Sequence, residues 1–340
     1  MRLVTAVGAA GVEEFERAVA GFDAAAGRGV IGELLAAGAD PICVIDEVIV
    51  PSQHQVGLRW QRGEWTVTQQ HAATEVALAA ADALRERLPE PANRRGHVLL
   101  ACAEREWHAL PVTLVGLAMR SAGWDTTVLG AGVSPLRLSR FLHELGPDAT
   151  AISCSVLAGV PTTRRFIEAS AAAGVPTVVG GAAFGGDARR ADALGATAWA
   201  SSARGAVHAL QGLPLLVPPL PPPRRELGAE LAALHEQRPS MLRDLAARWQ
   251  PFGGGPAGVR RPDSLADAVR DCLEQSLHAV SAALLTDDPA ALAETRVWVE
   301  AVLAARGDGR AAEHAEQLGE LIGVQLREYP LTDALLGTHW

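Results

Sequence analysis

The segment EWHALP, Glu106–Pro111, sets a carboxylate two residues before a histidine. It lies in a short loop between an apolar run, HVLLAC, and a second apolar run, VTLVGLAMRSAG. A neutral imidazole can ligate a metal ion through one ring nitrogen. A carboxylate two residues upstream is spaced to accept the other ring N–H and fix the tautomer. Glu106, Trp107 and His108 are thus candidate cofactor-binding residues; the plain alternative is a surface turn in which they serve no ligand. Two further runs could line a binding site: SCSVL, with Ser153, Ser155 and Leu157, and VVGG, ending in Gly180 and Gly181. A small hydroxyl side chain and paired glycines leave room for a ligand close to the backbone. Upstream, the turn QRGEWT separates Trp60 from Gln70 and His71.

Composition narrows the chemistry. The chain has 340 residues, 49% hydrophobic and 20% charged, with a net charge of −9. That is enough chain for two or three domains with their own cores. No basic arm or cationic block is present, so direct DNA binding is not expected. There is no lysine, which removes Schiff-base chemistry and lysine-dependent phosphate loops. Cys43, Cys102, Cys154 and Cys272 are far apart in apolar segments and read as buried small hydrophobes. No leader pattern or membrane-length apolar run is evident, and a cytoplasmic protein is expected.

The elements that must position these residues follow from periodicity. Residues 1 to about 88 read as helices, with Asp40-Pro41 opening one that Pro51 should kink and a T-x-x-Q capping box, Thr66–Gln69, opening the next. Residues 97–210 alternate strand and helix: HVLLAC, DTTVLG, TAISCSVL, TVVGG and ATAWAS are five strands separated by helices and short Gly/Pro loops. That pattern predicts a five-stranded parallel sheet of the flavodoxin-like kind, which binds ligands beyond the carboxyl ends of its strands. The expected domains are a helical-bundle cap at 1–90, the sheet domain at 95–212, a proline-rich linker at 213–225, and an all-helical domain at 226–340. In the last, Pro262-Asp263-Ser264 should cap a helix whose apolar face is Leu265, Val269, Cys272, Leu273, Ser276, Val280 and Leu284. The fold class is mainly α with one α/β domain.

With His108 after the first strand, E-x-H-x-x-P, SCSVL and VVGG together resemble the D-x-H-x-x-G … S-x-L … G-G signature of base-off, His-on cobalamin-binding domains. The resemblance implies His108 as lower axial cobalt ligand, oriented by Glu106, with the nucleotide tail passing the serine strand and Gly180-Gly181. Ser153 fits the family spacing from the histidine, and Ser155-Val156-Leu157 fits the literal S-x-L. Glu106 stands where the family has aspartate, and Pro111 where it has glycine. The cap pattern W-x9-QH resembles the W-x9-EH of light-sensing, adenosylcobalamin-dependent transcriptional regulators. That likeness implies Trp60, Gln70 and His71 around the adenosyl group. Gln70 replaces their glutamate, and Gln61 stands where they can carry a light-state histidine ligand. Their helix-turn-helix is not read ahead of the cap, so output should run through residues 226–340 or through subunit contacts.

The whole arrangement resembles the photocobilins, cobalamin photoreceptors whose C-terminal helical domain also binds biliverdin. That resemblance implies arginines for propionates and an imidazole near the pyrroles, for which Arg260, Arg261 and His278 are the candidates. Cys272, on the apolar stripe, favours a structural thiol and non-covalent binding. The expectation is a non-enzymatic photoreceptor binding adenosylcobalamin and biliverdin, with light-dependent homo-oligomer contacts. A corrinoid methyl carrier and a ligand-free interaction module are the rivals.

Overall fold

The computed structural model describes residues 7–89, 94–251 and 265–339. The chain divides into two compact units. One is formed by the residues up to Leu58 with Thr68–Leu220, the other by Arg59–Val67 with the chain from Pro221 onward. Among the described residues, no helix is long and apolar enough to cross a membrane.

The first unit begins with α1 (Ala9–Ala20), α2 (Ala24–Ala36), α3 (Pro41–Val44), a π-helical turn (Ile45–Ile49), α4 (Val50–Gln61) and α5 (Val67–Arg87). Asp23 caps α2 through the Ala26 amide at 2.9 Å, and Asp40 caps α3 through the Ile42 amide at 2.8 Å. The kink expected at Pro51 takes another form. Proline brings no N–H for the carbonyl four residues back and crowds it, and the wider π turn immediately upstream takes up that mismatch.

The sheet follows, with β1 (His97–Cys102), α6 (Ala109–Ser121), β2 (Asp125–Gly130), α7 (Pro135–Leu145), β3 (Ala149–Ser153), α8 (Val160–Ala172), β4 (Thr177–Gly180), α9 (Arg189–Ala193), β5 (Ala198–Ala200) and α10 (Ala203–Gln211). All pairings are parallel, in the order β2-β1-β3-β4-β5. This is the flavodoxin-like arrangement expected, and the order reverses between β1 and β3, where such sheets hold ligands. Residues 98–102 of β1 are all buried, as a central parallel strand requires. β3 is shorter than expected and stops at Ser153. Beyond that point the Ser155 amide donates to a side chain distant in sequence, Glu106, instead of to the ladder.

Asp46, in the π turn, ties the helical region to the sheet domain. Its two carboxylate oxygens accept the amides of Ala203 and Arg204, each at 3.0 Å, at the N-terminus of α10. Those amides have no intrahelical acceptor, and a carboxylate there also complements the helix dipole.

The second unit holds α11 (Arg225–Arg248), α12 (Leu265–Thr286), α13 (Ala290–Ala305), α14 (Ala311–Gln325) and α15 (Pro330–His339). In α12, Cys272, Leu273, Ser276 and Val280 are buried as expected, but so are Leu277, Ala279, Ala282 and Ala283. The helix is therefore enclosed on more than one side rather than striped. α15 was not foreseen, because its start depends on a distant residue. The buried Glu230 carboxylate accepts the Leu331 amide at 3.1 Å and the Thr332 amide and hydroxyl at 2.6 Å. The cap expected from Pro262-Asp263-Ser264 lies outside the described residues.

Asp46→Ala should leave two α10 amides without their acceptor. It should lower unfolding stability by about 1–2 kcal/mol, measured by urea titration.

Candidate functional site

After β1 the chain makes a tight turn, with the Glu106 amide donating to the Ala103 carbonyl at 2.9 Å. Arg105 occupies its third position at φ 71°, a left-handed conformation usually given to glycine. Thr162, at the start of α8, anchors the turn by donating its hydroxyl to the Glu104 carbonyl at 2.9 Å. The result is that Glu106 points inward, 0% exposed, while Trp107 points outward, 73% exposed.

A buried carboxylate is costly unless its lone pairs are satisfied. Here Oε1 accepts the His108 amide at 2.8 Å and the His108 Nδ1–H at 2.6 Å, while Oε2 accepts the Ser155 amide at 2.6 Å. Burial pushes the Glu106 carboxyl up, but these hydrogen bonds, His108's first, outweigh it and hold the group below the ordinary carboxylate range. The reciprocal effect raises His108, through the hydrogen bond it donates to Glu106, acting against burial. In the neutral ring, a carboxylate that only accepts assigns the proton to Nδ1, so Nε2 carries the lone pair. The imidazole side chain is 61% exposed. The spacing read from the sequence thus produces a tautomer-fixed donor nitrogen at the sheet's switch point.

The other expected residues divide. Ser153, buried, is the last residue of β3 and pairs with Cys102 and Gly180. Ser155 and Leu157 are half-buried beyond it. Ser155 meets the site through its backbone rather than its hydroxyl, a role no side-chain motif announces. A Cβ on Gly180 would come within 2.6 Å of the Ala200 carbonyl oxygen. One on Gly181, at φ 108°, would come within 2.3 Å of that of Cys154. Both glycines are therefore demanded first by close protein backbone, not only by room for a ligand. Burial pushes the Cys102 and Cys154 thiols up to about 12, so both stay protonated and unreactive.

Gln70 is half-buried and His71 exposed, both in the first turns of α5. The backbone carbonyl of Gln70 accepts the Thr74 hydroxyl at 2.9 Å. Trp60 belongs to the second unit, stacked on Trp298 with ring centroids 6.3 Å apart and planes at 25°. The Arg306 guanidinium sits 5.3 Å from the same indole's centroid. His278 is half-buried on α12, and Cys272 is fully buried with its thiol pushed up to about 12 by burial. Arg260 and Arg261 lie outside the described residues. Thr162 and Arg105 were missed, since neither carries a signal until α8 is packed against the turn.

Comparisons with known proteins fit this geometry. Residues 96–211 match the profile of a B12 binding domain, and residues 12–85 match a second B12 binding domain profile. The chain thus carries two B12-binding domains. It is 34% identical over 158 residues to the HTH-type transcriptional repressor CarH of Myxococcus xanthus, covering 45% of this chain and 52% of the repressor. The chain thus spans about half the length of that relative. It is 26% identical over 200 residues to trimethylamine corrinoid protein 2 of Methanosarcina acetivorans, covering 56% of this chain and 90% of that protein. Its fold is like that of the Methanosarcina barkeri monomethylamine corrinoid protein, with a TM-score of 0.52 at 18% identity, over 59% of this chain and 97% of that one.

Cobalamin is the cofactor these domains imply, and the donor set suits it. His108, its ring fixed by a buried carboxylate, would hold the group through one nitrogen, and the cobalt chemistry would come with the cofactor.

Glu106→Gln should put an amide N–H₂ among N–H donors and weaken corrinoid affinity by about 10- to 100-fold, read by equilibrium titration. It should also remove part of the acid sensitivity of folding. A carboxyl held low in the folded state stabilises above its unfolded value, and that contribution is lost as pH falls through its folded value. Below the ordinary carboxylate range, the urea midpoint of the wild type should therefore drop more steeply than that of the variant. Gly181→Ala should cost roughly 2 kcal/mol or more of stability in the same assay.

Proposed function

We propose that this protein is a light-sensing photoreceptor that binds adenosylcobalamin through His108 and biliverdin through its C-terminal helical domain, at 226–340. The observation that carries the cobalamin part is the Glu106–His108 pair, whose Nε2 is left as the donor. Glu106 orients the ring and keeps the proton on Nδ1, while Ser155 and the turn at Arg105 hold Glu106 in place. When bound, adenosylcobalamin supplies a Co–C bond that light breaks.

The adenosyl form and the light response rest on the W-x9-QH pattern and on the likeness to the transcriptional repressor. Trp60, Gln70 and His71 are the residues that pattern assigns to the adenosyl group. Biliverdin rests on the resemblance of the domain order alone, with Arg260, Arg261 and His278 as its residues. The protein performs no turnover in this reading. Loss of the adenosyl group changes subunit contacts, a two-state element biased by a ligand's departure. No DNA contact is part of it, and the cytoplasm is the proposed location.

A second reading is a corrinoid methyl carrier serving a methyltransferase. It is favoured by the similarity to trimethylamine corrinoid protein 2, 90% of whose length this chain matches. One experiment separates the two. The protein is loaded with adenosylcobalamin in darkness, and its spectrum and size are compared before and after green light. A photoreceptor changes both; a light-stable complex identifies the carrier. A red-shifted band on adding biliverdin tests the second chromophore separately.

His108→Ala should shift the bound corrinoid's absorption toward the base-off form and raise its dissociation constant at least about 10-fold. An unchanged spectrum would remove this histidine from the cobalt.

A further inference from the structure

Trp107 is the most exposed large apolar side chain in the sheet domain, at 73%, ahead of Leu136 at 68%. Its position is not that of a loose surface ring. The turn before it holds Arg105 at φ 71°, a conformation that persists only where the surroundings enforce it. The residue before Trp107 is locked by three N–H donors, and the Trp107 carbonyl accepts the Ala109 amide at 2.9 Å. On one side the indole lies against the loop after β2, where a Cβ built on Gly132 would come within 3.9 Å of a ring carbon. Water meets the rest of the indole. A solvated turn gains nothing from a braced indole here, and a small anionic ligand would not use one. A broad, flat, largely apolar ligand held by the next residue's imidazole would.

We infer that Trp107 is a specificity-determining contact for the corrin macrocycle, its exposed indole covered when His108 takes the cobalt. This rests on the cobalamin part of the proposed function and is independent of the adenosyl group, of light and of biliverdin. Burying a large aromatic surface of this kind corresponds to about 10- to 100-fold in affinity. Phenylalanine, which keeps most of the apolar area, should keep most of the effect.

The test uses the full-length protein and hydroxocobalamin in darkness. Hydroxyl-radical footprinting read by peptide mass spectrometry should show Trp107 oxidised readily in the free protein and at least about 5-fold less in the complex. Leu136 serves as the exposed reference. Trp107→Ala should raise the hydroxocobalamin dissociation constant by about 10- to 100-fold with the His-on absorption spectrum retained at saturation. Trp107→Phe should stay within a few-fold of wild type. Equal Trp107 oxidation in both states, or a Trp107→Ala variant that binds as tightly as wild type, overturns the inference and leaves the indole as a surface for another partner. A loss of His-on character in Trp107→Ala would mean the residue only shapes the loop, which also overturns it. Should Trp107→Ala fail to fold, the wild-type footprint and Trp107→Phe still decide. Wild type that takes up no hydroxocobalamin sinks the cobalamin reading itself, a failure distinct from the others.

Discussion

A carboxylate with no solvent contact holds this molecule's central loop together. Glu106 would be expensive to bury alone, and it is tolerated because three N–H groups converge on it, two from His108 and one from Ser155. Each donor comes from a place where the chain leaves regular structure. The carboxylate stands in for the backbone ladder at the ends of β1 and β3. It shortens β3 and sets the tautomer of His108, and the turn that presents it carries Arg105 at a positive φ. One interaction thus links strand termination, loop shape and the availability of a donor nitrogen.

That loop sits where the strand order reverses, between β1 and β3. A parallel sheet leaves a crevice at such a point because successive connections depart to opposite faces. The close backbone packing that defines the crevice is visible at Gly180 and Gly181, where neighbouring carbonyl oxygens leave no space for a side chain. The glycine pair therefore serves the scaffold directly. Whatever it offers a ligand follows from how tightly β3, β4 and β5 approach one another at their carboxyl ends.

The second unit shows how sequence neighbours can belong to different packing environments. Trp60 lies near the end of α4, yet folds with the C-terminal helices, its indole against Trp298 and the Arg306 guanidinium. The Arg306 guanidinium also donates to the Gln61 carbonyl at 3.4 Å, so the turn is held by backbone as well as by rings. In the same unit, Trp249 is fully buried with its indole N–H on the His314 carbonyl, and the buried His314 in turn meets Asp308 at 2.7 Å. α12 itself packs against α11, α13 and α15.

Much of the sheet domain was legible in the sequence. Strand-length runs and Gly-Pro punctuation identified HVLLAC and DTTVLG at their observed limits; HVLLAC is the unbroken apolar run a central parallel strand needs, while DTTVLG is a half-exposed edge strand. The spacing of Glu106 and His108 was equally local, and two residues suffice to specify a carboxylate–imidazole hydrogen bond. What the sequence could not decide depended on groups far apart along the chain. The end of β3 hangs on a carboxylate 49 residues away, and the start of α15 on Glu230, 101 residues away. The company kept by Trp60 depends on a helix more than two hundred residues on. Periodicity records which face of an element is apolar. It carries no record of which distant polar group will satisfy a particular amide, and only the packed chain settles that.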